Sequence, residues 1–336
     1  MGGGQKPGFE TAGKPIAPAF SASGIVTEAN LEHEFEIIHN AATESRAGVF
    51  GPNSMMWHID KEAAIFLGAG RALLLQLAHP WIAAAIAQHS RTLADPIGRF
   101  HRTFNAMFTM VFGTTEQALA AARRLHHRHA RISGILVETA GPFAAGSRYE
   151  ANDAAALRWV HATLIDTALV AHGLVHRPLS AEDRERYWAE ARLFAAFFGI
   201  QQDAMPQSWA DFAAGNERMW RSDILTVSDQ ARSIAEAVLC GAGTRLPIPS
   251  WYRALTARLL PARLRDDFGL SYGELEHRQS GRALAVMRRV YPWVPGHLRH
   301  VGPYQEARAR LAGRQRPGAT TQLLNRLWIG QRSMAG

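Results

Sequence analysis

Imidazoles on apolar helix faces are the residues in this sequence best suited to chemistry. The chain has 15 histidines among 336 residues. Ala118, Ala122, Leu125, His129, Ile132 and Leu136 recur at spacings of four and three, which is one face of a helix. His129 therefore sits in the middle of a stripe that should turn inward. Ala154, Leu157, His161, Leu164 and Ala168 repeat the arrangement, as do Leu75, His79, Ile82, Ile86 and His89. A buried imidazole needs a hydrogen-bond partner or a metal, because leaving it unpaired costs about 1–3 kcal/mol. Lowered polarity also favours the neutral ring, the form that ligates metal. Periodicity does not choose between a ligand and a core histidine bonded to a carbonyl, and both readings stay open.

The identity of a metal is constrained by what is missing. Structural zinc draws on paired cysteines and histidines, and Cys240 is the one cysteine. No His-Glu-x-x-His sequence is present. Di-iron bundles need paired Glu-x-x-His elements, and none of the inward histidines follows a glutamate by three. His126 and His129 are one turn apart, but no carboxylate completes a set on that face. Haem asks for one protein ligand, an apolar slot and cations for its propionates, and that requirement fits best. The apolar slot has a candidate in Ile97, Phe100, Phe104, Met107, Phe108 and Val111, a wide stripe on one helix face. Arg99 and Thr103 lie one turn apart on the adjacent face, with Arg102 close by. The competing reading is an ordinary core stripe with a solvated arginine edge.

The elements that must position these groups are almost all helical. Expected helices cover about 29–47, 55–78, 80–91, 96–112, 115–137, 153–173, 181–198, 208–219, 227–240, 251–260 and 274–290. Thr114 to Gln117 offers a capping box, and Asp153, Ser180 and Ser208 are good N-caps. Alternating strand patterns are nearly absent; the stretch from Thr139 to Asn152 has room for a small hairpin. The expected organisation is all-α: a flexible tail over 1–24, one large helical domain over 25–305, and a loosely packed basic segment over 306–336.

Composition narrows the function further. Apolar residues make up 47% and charged residues 20%, which suits a globular core and excludes general disorder. The net charge of +8 is carried almost wholly by scattered arginines, without a basic arm or a zinc-finger spacing, so nucleic acid is not an expected partner. The apolar run from Ala63 to Ala87 is broken by Arg71, Gln76, His79 and Pro80, which predicts two buried helices meeting at a proline rather than a membrane span. A lone cysteine and a Gly-rich start without an apolar segment point to the cytoplasm.

An ordered string of motifs carries a resemblance. Gly70-Arg71-Ala72-Leu73-Leu74-Leu75-Gln76-Leu77-Ala78-His79-Pro80 precedes His89-Ser90 and Arg99-x-x-x-Thr103. Val111-Phe112-Gly113, His129-Ala130-Arg131-Ile132-Ser133-Gly134, Tyr149-x-Ala151-x-Asp153 and Trp159-Val160-His161-Ala162-Thr163 follow. Pro178-Leu179-Ser180 and Tyr187-Trp188-x-Glu190 complete it. From about Trp57 to about Leu264 the chain resembles the MpaB/rubber oxygenase (latex-clearing protein) catalytic domain family. The resemblance implies a haem b protein with a globin-related helical core. It matches His129 to the proximal iron ligand, and Arg99 and Thr103 to the distal arginine and threonine. Arg102 stands where the rubber enzymes have a lysine that can cap the iron, and guanidinium is a poor ligand because it stays protonated. His161 matches a supporting histidine near the haem. The distal glutamate of rubber cleavage falls in the Ala83–Ala87 region, which has no carboxylate.

These readings predict a haem oxygenase or oxidase acting with dioxygen on a small or medium hydrophobic substrate, terpenoid or secondary-metabolite-like, with an electron donor if one is needed. His129 would bind iron. Arg99, Arg102 and Thr103 would orient dioxygen or substrate, His79 and His161 would brace the pocket, and Phe104 and Phe108 would pack on the macrocycle. The rivals are a haem-dependent tailoring enzyme without oxygen transfer, a non-catalytic haem-binding protein, and a helical interaction protein whose histidines are all structural.

Overall fold

Side-chain caps set the starts of eight of the sixteen described α-helices. The computed structural model describes residues 24–42, 44–89, 95–241, 247–314 and 316–334. The expected N-terminal tail lies, but for residue 24, outside the described residues. The first part of the chain forms α1 (Glu28–Ala41), α2 (Met55–Asp60), α3 (Ala69–Leu77), α4 (Pro80–His89), α5 (Pro96–Phe112) and α6 (Thr115–His129). A two-stranded antiparallel ribbon, β1 (Ser133–Ile135) and β2 (Arg148–Glu150), then leads into α7 (Ala154–Val175) and α8 (Ala181–Ala195). Next come α9 (Trp209–Arg221), α10 (Asp229–Leu239), α11 (Ser250–Leu259), α12 (Ala262–Asp267) and α13 (Glu274–Val290). The chain closes with α14 (Gly296–Arg299), α15 (Gly302–Leu311) and α16 (Ala319–Ile329). The fold is all-α, as the periodicity predicts. The hydroxyl or carboxylate of Thr114, Asp153, Ser180 and Ser208 accepts from the third backbone N–H of its helix.

Several elements differ from the sequence expectation, and the helix read over 29–47 already stops at Ala41. The helix read over 55–78 is two helices, α2 and α3, joined by a 3-10 segment at Ala63–Gly68. No proline marks that break, and Gly68 stands only at its far end. It is held from outside, because Glu62 is drawn to Arg299 at 3.1 Å while the Tyr291 hydroxyl takes the Ala64 N–H at 3.1 Å. The helix expected to reach residue 137 stops at His129, where the chain turns into β1. Gly134 of that strand faces the Tyr149 ring with no room for a Cβ. The C-terminal segment is not loosely packed. Asn325, Ile329 and Met334 are buried, and the Trp328 ring stacks on Phe66 at 4.0 Å.

α7 runs through the centre of the molecule. By length and composition it is the described helix able to cross a membrane, yet over half of its most apolar window is buried against neighbours. Gly68 lets the 3-10 segment approach closely, since a Cβ there would overlap Thr167 of α7. The Trp57 indole donates to the Val111 carbonyl and the Trp159 indole to the Leu75 carbonyl, each at 2.9 Å, so both large rings are buried with their N–H satisfied. The bend of 103° between the Ala63–Leu77 segment and α4 falls at His79-Pro80, as expected for two helices meeting at a proline.

Arg71 staples α3 to this centre. Its guanidinium, 3% exposed, lies 2.6 Å from the Asp166 carboxylate and donates to the Thr167 hydroxyl and the Leu259 carbonyl. Removing one partner of a buried pair strands the other, at a cost of about 3–5 kcal/mol. Urea unfolding of Arg71→Leu is expected to show a loss of roughly that size. Arg71→Leu/Asp166→Leu should recover part of it; a single substitution costing under about 1 kcal/mol would remove the staple from the account.

Candidate active site

α5 begins where Asp95 accepts the Gly98 N–H at 2.9 Å, with Pro96 at the first helical position. Gly113 and Thr114 reverse the chain, and α5 and α6 pack as an antiparallel hairpin. Counting back from the turn, His129 is level with Gly98, roughly 9 Å along the axis from Phe104 at 1.5 Å per residue. The ligand candidate and the aromatic stripe thus belong to one hairpin.

His129 is half-buried, and its imidazole makes no hydrogen bond among the described residues. Burial, then the neighbouring charge of Arg128 and the His126 ring, lowers its pKa to about 4. At neutral pH the ring is uncharged and offers an uncommitted nitrogen. His161 is fully buried and committed: Nε2 donates to the Ala191 carbonyl at 2.7 Å, among the rings of Trp188, Phe194 and Phe198. Because a carbonyl only accepts, the proton is on Nε2, and Nδ1 carries a lone pair that finds no partner. His79 packs beside Trp81 and Phe143, and its buried Nδ1 also has no partner. Burial lowers the pKa of both rings to about 4. The three imidazoles keep separate company, and among the described residues no three metal-ligating side chains gather at one point.

Phe104 and Phe108 line a small apolar cavity, not fully enclosed, between α2, α3, α5, α7 and α8. Phe100, Phe104 and Phe108 pack around Phe66 at 4.7 to 6.1 Å, and Trp328 stacks on the same ring. α16 therefore adds a layer over the stripe, which the sequence did not suggest.

Three polar residues line this cavity: Thr167, whose hydroxyl is taken by Arg71, and Asp60 and Tyr187, to neither of which sequence reasoning assigned a role. The Asp60 carboxyl has no hydrogen-bond partner among the described residues. Burial, then the charge of Glu190, raises its pKa to about 8. The Tyr187 hydroxyl is buried without a partner, and burial followed by the charges of Asp60 and Glu190 pushes its pKa well up. Glu190 itself receives the Met55 and Met56 N–H groups at 3.0 and 2.6 Å, anchoring the start of α2. One signal was available in the sequence: Asp60 is the lone acid of the short run Met55-Met56-Trp57-His58-Ile59-Asp60.

The remaining candidates stand on the first two turns of α5. Arg99 is partly buried, and burial, then Arg102, lowers its pKa to about 10. Arg102 reaches the Asp95 carboxylate at 3.1 Å, both about half exposed, and Thr103 is exposed. None of the three lines the apolar cavity; that cavity takes the next face of the helix, from Phe104 onward.

A family model described as "ER-bound oxygenase mpaB/B'/Rubber oxygenase, catalytic domain" matches residues 56–293. That span contains the hairpin, the cavity and each candidate residue named above. Neither the curated proteins nor the solved structures include a match to the chain.

Proposed function

Because the chain belongs to the mpaB/rubber oxygenase catalytic-domain family, whose model covers well over half of it, we propose that it is a haem-dependent oxygenase acting on a small or medium hydrophobic molecule. Family membership gives an oxygenase-type oxidoreductase domain. The haem and the substrate class are the further step, and they rest on the chemistry of the residues present.

The observation that carries this reading is His129. It is a neutral, uncommitted imidazole on a hairpin whose other helix lines an apolar cavity. A single neutral imidazole is what a haem iron takes from the protein, and Arg99 and Arg102 supply cations at the same end of the hairpin. These residues fit the group. His129 would hold the iron, which when bound supplies the redox chemistry that activates dioxygen. Arg99 and Thr103, one turn apart, orient dioxygen or substrate near the start of α5. The His161 and His79 rings, bonded and packed elsewhere, brace the surrounding helices rather than bind.

The apolar cavity suits the body of a hydrophobic substrate. Phe104, Phe108 and their neighbours give it an apolar wall, and Asp60 holds a proton on its carboxyl at neutral pH. A neutral acid in such a place can donate a hydrogen bond or a proton to an oxygen on the substrate.

Reconstitution with haem tests the reading. The purified protein should take up one haem per chain and give a Soret band that shifts with CO after reduction. Substrate-dependent consumption of ¹⁸O₂ should leave the label in product. Haem uptake without label would retire oxygenation, and no uptake would retire the haem.

A further inference from the structure

The helices that wall the apolar cavity also wall a second pocket of opposite character. α2 gives Asp60 to the first cavity, while His58 and the adjoining Lys61 and Glu62 line the second. α7 gives Ala168 to the first and, one turn on, His172 to the second. α8 contributes Tyr187 to the first and, one turn earlier, Asp183 to the second. His176 and Arg177 beyond α7, and Arg299 of α14, complete the polar wall around about 830 Å³ of space, partly open to solvent. This pocket is not part of the His129 site. Asn152, just ahead of α7, donates to the His126 carbonyl at 3.2 Å, and His172 lies twenty residues further along, roughly 30 Å at 1.5 Å per residue.

The donors in this pocket outnumber the acceptors. Glu62 is already spent: its oxygens take the Tyr291 hydroxyl at 2.9 Å and Arg299 at 3.1 Å, with His300 and His176 at 3.5 and 3.6 Å. Burial would raise its pKa, but the hydrogen bonds from His300 and Tyr291 and the charge of Arg299 win and lower it to about 2. Asp183 accepts from the Ser180 hydroxyl at 2.8 Å and lies 3.8 Å from Arg186. Lys61 and Arg177 reach no carboxylate within ion-pair distance among the described residues. His172 is 3% exposed, and its Nδ1 has no partner.

A metal does not answer this arrangement. The rings of His172 and His176 stack at 4.4 Å and 24°, a side-by-side pose rather than one converging on a shared ion. We propose that the pocket binds a small oxyanion, a carboxylate or phosphate group, held by Lys61, Arg177 and the imidazoles of His58 and His172. Arginine, lysine and imidazole N–H groups form charge-assisted hydrogen bonds to such a group, and the partly open pocket lets it enter.

Binding takes up protons. Burial keeps His58, His172 and His176 neutral. Lys61 and neighbouring imidazoles reinforce that, Glu62 opposes it at each ring, and Asp183 opposes it at His58. Arg299 adds repulsion at His176. A bound anion offsets the repulsion and favours the charged ring, so affinity rises as pH falls.

Isothermal titration of the full chain with inorganic phosphate alone, and separately with dodecanoate alone, tests the site without haem or turnover. Its failure therefore leaves the oxygenase reading standing. Saturable one-to-one binding of phosphate, stronger at pH 6 than at pH 8, supports the site with a free anion as its source. Binding of dodecanoate alone, with the same pH trend, supports it with the headgroup of an apolar molecule as the source. Lys61→Met and Arg177→Met should each weaken the binding about tenfold. His172→Asn, checked for folding by circular dichroism, should abolish the pH trend. Failure of both probes to bind, or equal binding in the Lys61 and Arg177 variants, overturns the proposal.

Discussion

Haem added to His129→Ala protein is expected to give the spectrum of free haem, with affinity reduced more than about 100-fold against the parent chain. Altering a residue that only orients a metal ligand already costs about 10–100-fold in affinity, so removing the ligand itself should exceed that range. The substitution is well placed for a clean result. His129 ends α6, makes no hydrogen bond among the described residues and is only half-buried, so no buried donor or acceptor is stranded by its loss. His161→Gln is the informative control. His161 Nε2 donates to the Ala191 carbonyl at 2.7 Å inside a ring of Trp188, Phe194 and Phe198. Disturbing it should lower stability by about 1–3 kcal/mol and leave the haem spectrum in place. If the Soret band instead survives in His129→Ala and vanishes in His161→Gln, the ligand has been assigned to the wrong helix.

The contrast between these two histidines marks how far the sequence could be read. Both sit on apolar stripes with the same spacing, and periodicity treats them alike. What separates them is a carbonyl on α8, thirty residues away from His161, and no local pattern reports such a bond. α5 was legible at both ends because its signals are local: Asp95 and Pro96 start it and Gly113 ends it. The break between α2 and α3 was not legible, because Glu62 and Ala64 are held by Tyr291, with Arg299 on Glu62, more than two hundred residues downstream. The packing of α16 was hidden for a similar reason. Gly313, Pro317 and Gly318 suggest a tail, and only the pairing of Trp328 with Phe66 shows what the last helix covers.

Asp60 is the residue whose substitution should separate stability from activity. The sign of the first effect follows from its pKa, about 8 in the folded chain against 3.8 for an ordinary aspartate. A carboxyl that must stay protonated on folding makes its full contribution to stability below pH 4. That contribution is lost progressively as pH rises to 8, because the unfolded chain gains by ionising. Asp60→Asn removes the loss. The variant should match the parent near pH 4 and be more stable by about 3 kcal/mol at pH 8, a value discounted from the full shift because water reaches the cavity. Turnover should move the other way. Losing a positioned proton donor costs about 100-fold or more, and the parent's fall in rate as pH rises through about 8 should be absent from the variant. Chemical denaturation at three pH values and a rate profile over the same range would read both effects. A variant that is stabilised yet keeps the parent's rate and pH profile would make Asp60 a burden on the fold without a part in the chemistry. The proton would then have to come from elsewhere in the cavity, where the unpartnered Tyr187 hydroxyl is the remaining candidate donor.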